Sequence, residues 1–134
     1  MKIHFRPHYL TRSKNTVECV LSCVLKDCNE LVYIPSYRGC EITMTALPDK
    51  SLEHSFVVIA SAKCDPDDEF NLTKGKRIAE SRAAIKAMKV IYGILATNKS
   101  MYDNIDAKIL NSMAKTNRIL NKERKHLEML INNE

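Results

Sequence analysis

The chain has 134 residues, 45% of them hydrophobic, with three glycines and four prolines. That is enough to bury the core of one domain, and too apolar for a disordered chain. The formal net charge is +5, the opening MKIHFRPHYL is too short and broken for a secretory leader, and no apolar run approaches the roughly 18 residues of a membrane span. A soluble, cytoplasmic protein that attracts anions is expected.

About residues 1–64 read as an antiparallel β-meander of four to five strands, which with two long C-terminal helices makes an α+β fold. KIHF at the start adds an edge strand. In TVECVLSCVLK the odd positions Val17, Cys19, Leu21, Cys23 and Leu25 alternate with smaller or polar residues, the period of a half-buried strand. Asp27, Cys28 and Asn29 turn the chain into a strand ELVYI. After Gly39, CEITMTAL sets Cys40, Ile42, Met44 and Ala46 on one side, and Pro48 and Asp49 end it. SFVVIASAKC is apolar on both parities, which predicts the central and most covered strand.

The five cysteines, Cys19, Cys23, Cys28, Cys40 and Cys64, fit no zinc spacing, and His54 and His126 stand alone. Buried, reduced thiols are the simpler reading. None of His4, His8, His54 and His126 has a serine or cysteine nucleophile beside it in a recognisable turn. There is no G-x-S-x-G, Walker loop or H-E-x-x-H, so neither an enzyme nor a cofactor is expected.

Asn71 is a fair N-cap for a first helix over about 72–97. Ser100 with Asp103 resembles a capping box opening a second helix over about 101–132. On that helix Ile109, Met113, Leu120, Leu127 and Ile131 form a seam interrupted by Thr116, Asn117, Arg118, Glu123 and Arg124. At roughly 45 Å it outreaches a small domain, which predicts a coiled-coil-like arm and a homo-oligomer, a dimer or a dimer-based assembly.

The charge is uneven: residues 72–99 hold seven basic side chains and only Glu80 in opposition. Most of the first helix's circumference is apolar. Arg82, Lys86 and Lys89 make one stripe at i, i+4 and i+7, on the same line as Gly75 and Gly93. Either the stripe is a solvated face, or it joins Lys74, Lys76 and Arg77 in holding an anion. A bound phosphate would relieve the like-charge repulsion and suit the helix N-terminus. The preceding acids (Asp65, Asp67, Asp68 and Glu69) can neutralise the first-turn lysines, which favours Arg82. Tyr92, Tyr102 and Asn104 lie around the interhelical turn and could stack on and read a base, although Tyr92 also sits on an apolar face that suits a core ring.

The stretch CDPDDEFNLTKGKRIAESRA, residues 64–83, with a β-meander before it and a helix pair after it, resembles small phage proteins of the anti-Thoeris sponge family, the first family of Thoeris anti-defence proteins. The resemblance implies an N-terminal sheet, two C-terminal helices, and dimers or higher oligomers in the host cytoplasm. It also implies binding, without cleavage, of a cyclised ADP-ribose signal, with cyclic oligonucleotides at separate sites in some members. Arginines, an aromatic ring and an asparagine near the helix pair would hold the ligand. By motif Arg82 and Arg77 carry over. Tyr92, Asn104, Arg118 and Arg124 are chosen by chemistry and placement, as is Arg38 in the Tyr37-Arg38-Gly39 turn. A tyrosine stands where a phenylalanine would be sought. The alternative is a phage accessory protein that binds nucleic acid or a host protein through the basic first helix.

Overall fold

The computed structural model describes residues 1–65 and 71–132. Its elements are β1 (Lys2–Ser13), β2 (Thr16–Lys26), β3 (Ser36–Tyr37), β4 (Cys40–Glu41), β5 (Thr43–Ala46), β6 (Leu52–Lys63) and α1 (Leu72–Asn132). The fold is α+β: an antiparallel sheet ordered β1-β2-β6-β5, a small β3-β4 ribbon, and one long C-terminal helix. By its contacts the chain divides into two compact units, Met1–Ala96 and the segment from Thr97 onward. Asp67, Asp68 and Glu69 of the acidic run lie outside the described residues.

The core of the first unit follows from strand parity. Val17, Cys19, Leu21, Cys23 and Leu25 of β2 are all buried, as their alternation predicts. Antiparallel pairing sets them beside Ala62, Ala60, Val58, Phe56 and His54 of β6, which are buried on the same face. Over this layer α1 lays Ala79, Ala83, Ala87, Val90, Ile91 and Ile94. Three alanines in an i, i+4 row let the helix backbone approach the sheet closely. Burial of the larger aliphatics supplies most of the stabilisation, at about 1.5–3 kcal/mol for each Val, Leu or Ile side chain.

Several strand expectations change. The edge strand expected from KIHF extends to twelve residues, because β2 offers β1 a full-length partner. ELVYI forms no strand: Leu31 is buried and the Tyr33 hydroxyl donates to the Ile42 carbonyl at 3.1 Å. CEITMTAL is broken at Ile42, whose side chain enters the core, into β4 and β5. The two apolar parities of β6 do not mean two covered faces, since Val57 and Ile59 on the outer face are 50% and 49% exposed.

The second long helix expected from residue 101 is not a separate element, because α1 runs unbroken from Leu72 to Asn132. Asn71 does cap it, its side-chain oxygen accepting from the Lys74 amide at 3.1 Å. At Ser100, however, Asp103 makes no capping box and pairs with Lys99 at 3.1 Å. Asn98, Lys99 and Ser100 each cost well under about 1 kcal/mol in a helix, and neither proline nor glycine follows Gly93 to enforce a stop.

Candidate ligand-binding groove

The basic stripe meets the sheet edge first. β5 pairs with β6 only over Leu52–Ser55, which leaves the rest of that edge of β6 without a strand partner among the described residues. Three side chains take its outward carbonyls instead. The Cys40 thiol points to Val57 O at 3.5 Å, Lys86 Nζ donates to Ile59 O at 2.8 Å, and Arg82 Nη1 donates to Ser61 O at 3.0 Å. The match is geometric: four residues of helix rise about 6.0 Å and two residues of strand about 6.6 Å. Two of the three stripe cations therefore cover an edge strand, a common protection against pairing with another chain.

The third cation, Lys89, opens onto a groove of about 750 Å³. One wall is the β3-β4 turn. Tyr37 and Cys40 pair across it, while Arg38 and Gly39 take φ of 47° and 77°, the two left-handed positions of a type I′ turn. That turn brings Tyr37 onto α1 at Gly93, where a Cβ would collide with the tyrosine ring, so glycine makes room for it. Arg38 lies over the Tyr37 ring at 5.6 Å, a cation–π arrangement. The helix supplies the other wall with Ile85, Met88, Lys89 and Tyr92. Tyr92 is 75% exposed, so it is not the core ring that its apolar helix face allows.

The groove thus presents two phenol rings, two cations, an apolar strip and no carboxylate among its lining residues. The acid of α1 closest in sequence to the groove, Glu80, is occupied elsewhere. It accepts from Tyr9 at 2.7 Å, and this bond, then burial, pushes the Tyr9 phenol up to about 12. Lys76 stands over the same ring at 5.3 Å.

The expected site residues are distributed. Arg38 and Tyr92 meet in the groove. Arg82, about 15 Å up the helix from Tyr92, is turned to the β6 edge, and Arg77, about 22 Å away, is exposed. Asn104, Arg118 and Arg124 are exposed on the segment after Thr97. Within that segment Asn104 and Arg118 are about 21 Å apart along the axis, and Arg124 is turned about 120° from Arg118, so one chain cannot converge all three on a small ligand. Tyr37 was missed as a contact. Its one local signal was Gly39, which suits the second left-handed position of a two-residue hairpin turn, whereas Arg38 at the first position gives none.

A pair that spacing concealed lies in the core. Cys28 Sγ is 3.1 Å from His54 Nδ1, 26 residues away. Both are fully buried, and burial raises the thiol's pKa and lowers the imidazole's, so each is held neutral. A thiol with no access and no thiolate character is a packing partner rather than a nucleophile. Among the described residues, no group of three His, Cys, Asp or Glu could hold a metal ion, and no helix is long and apolar enough to cross a membrane.

Fold and groove together define an α+β domain with an open aromatic and cationic cleft between a hairpin turn and a helix. No protein-family model matches the sequence, and no curated protein or solved structure matches it either.

Proposed function

We propose that this protein binds a small cyclic nucleotide signal in the Tyr37–Tyr92 groove and sequesters it without cleavage, as an anti-defence sponge of the host-cell cytoplasm would. The observation that carries the reading is the composition of the groove: rings to stack a base, Arg38 and Lys89 to hold phosphate, and no lining carboxylate to repel it. The volume lies within the range of small-molecule sites. Base–aromatic stacking contributes about 1–3 kcal/mol and a charge-assisted hydrogen bond about 1.5–3 kcal/mol. A second subunit closing the open side would raise affinity further, consistent with a homo-oligomer.

The test is capture and release. Purified protein is incubated with cyclised ADP-ribose isomers and cyclic oligonucleotides, freed of unbound ligand, denatured, and the released material chromatographed. Intact ligand is expected, with affinity reduced about tenfold or more in Tyr92→Ala and Arg38→Ala. Release of a cleaved product would make the protein an enzyme. No depletion of any ligand would overturn the reading.

A second reading has its own support. Lys14, Lys63, Lys74 and Arg77 are exposed around the end of the sheet where β6 leaves and α1 begins, which suits a phosphate backbone. Affinity for duplex nucleic acid that falls steeply with salt, and survives Tyr92→Ala, would favour it over the groove.

A further inference from the structure

The segment after Thr97 carries its apolar side chains in the open: Leu110, Met113, Leu120, Leu127 and Ile131 are between 43% and 64% exposed. Together with Asn117 and Arg124 they fall at spacings of 3, 4, 3, 4, 3 and 4. That is a heptad seam with Leu110, Asn117, Arg124 and Ile131 at a and Met113, Leu120 and Leu127 at d. The opposite side carries Lys115, Arg118, Lys122 and Lys125, with only Ile119 and Met129 as large apolar residues among them. Thr116, beside the seam, donates its hydroxyl to the Ser112 carbonyl at 2.9 Å.

We infer that the occupant of this seam is a second copy of the chain, parallel and in register, over Leu110–Ile131. The polar residues decide the orientation. In a parallel pair each a residue meets its own copy, so the Asn117 amides can hydrogen-bond each other. Arg124 also meets its own copy, and each guanidinium is offset by Glu123 of the second copy, at g, in the hole that it enters. In an antiparallel pair a faces d. Every d residue here is Met or Leu, so any antiparallel register sets Asn117 and Arg124 against apolar side chains. A parallel pair slipped by one heptad fails similarly, since Asn117 then meets Leu110 or Arg124. The neighbouring seam through Ile109, Thr116 and Glu123 would forgo the Asn117 layer and set two short glutamates face to face at d, where they cannot reach the rim as the long stem of Arg124 can. Glu123 also faces Glu128 of the second copy across the rim, a repulsion that Arg124 offsets. The inference does not rest on the groove reading.

The full-length chain tests it. Sedimentation equilibrium at micromolar concentration is expected to give twice the chain mass. Ile131→Cys, in a Cys40→Ser, Cys64→Ser background, is expected to form an interchain disulfide nearly completely on mild oxidation. Asn117→Ile should keep the assembly while admitting species larger than a dimer, because it removes the polar layer that selects two strands. A monomeric wild-type chain would overturn the inference. So would a dimer in which Ile131→Cys fails to link to itself but links to Leu110→Cys in a mixture of the two variants, since an antiparallel pair separates the two copies of residue 131 by roughly 30 Å.

Discussion

His54 is the side chain with most at stake in the core. Its Nδ1 meets Cys28, its Nε2 is buried without a hydrogen-bond partner, and burial lowers its pKa from 6.5. In the unfolded chain it takes a proton near pH 6.5, while in the native state it resists until lower pH. Stability is therefore full above about pH 6.5 and falls as pH drops below it, by up to about 1.4 kcal/mol per pH unit until the lowered native pKa is reached. Urea midpoints between pH 8 and 5 should show this slope in the wild type and lose most of it in His54→Phe. An unchanged slope would place the titrating group elsewhere. Gly93 gives a different kind of prediction. A Cβ there strikes only the outer end of the Tyr37 ring, which can swing aside, while alanine favours the helix by about 1 kcal/mol. Gly93→Ala should leave thermal stability level or slightly higher and still lose ligand in a binding titration, separating groove shape from fold.

The stripe of cations makes its prediction at the level of the β6 edge. Arg82 and Lys86 are exposed, so each bond to a strand carbonyl contributes only modestly, about 1 kcal/mol or less. Arg82→Ala with Lys86→Ala should lower the urea midpoint slightly but raise light scattering on warming, because the bare edge becomes a template for other strands. Unchanged scattering would mean the edge needs no such cover. This edge also marks where the sequence stopped being readable. The alternation of β2 stated its buried face outright, and Asn71 announced the start of the helix. The role of Arg82 and Lys86 depends on where β5 ends along β6, a long-range pairing that no local pattern encodes. For the same reason Cys28 and His54, far apart in the chain, gave no sign of being neighbours. The helix expected to stop near Thr97 continues because Asn98, Lys99 and Ser100 are weak breakers, and Asp103 prefers Lys99 to a cap.

At the level of the molecule, one unit owns a core and the other does not. Every residue from 101 to 132 is exposed, and propensity alone holds a lone helix only marginally in water. Circular dichroism melts should accordingly resolve two transitions. The loss of helix signal from the segment after Thr97 should move to higher temperature as protein concentration rises, while the sheet domain melts at a concentration-independent temperature. A single transition that ignores concentration would mean the segment is held within its own chain. Groove residues could be chosen from chemistry alone, as Arg38 and Tyr92 were. Their convergence required the hairpin turn, whose partner surface on α1 lies more than fifty residues downstream.

The alanine row on α1 has a mechanical consequence. Ala79, Ala83 and Ala87 are equivalent knobs spaced one turn apart, so they fix how near the helix lies to the sheet but not where it stops along its own axis. A slide of four residues would set alanine on alanine again and hand the Ser61 carbonyl from Arg82 to Lys86. The detents against such a ratchet are the two contacts that do not repeat: Tyr9 on Glu80 near one end, and Tyr37 in the notch at Gly93 near the other.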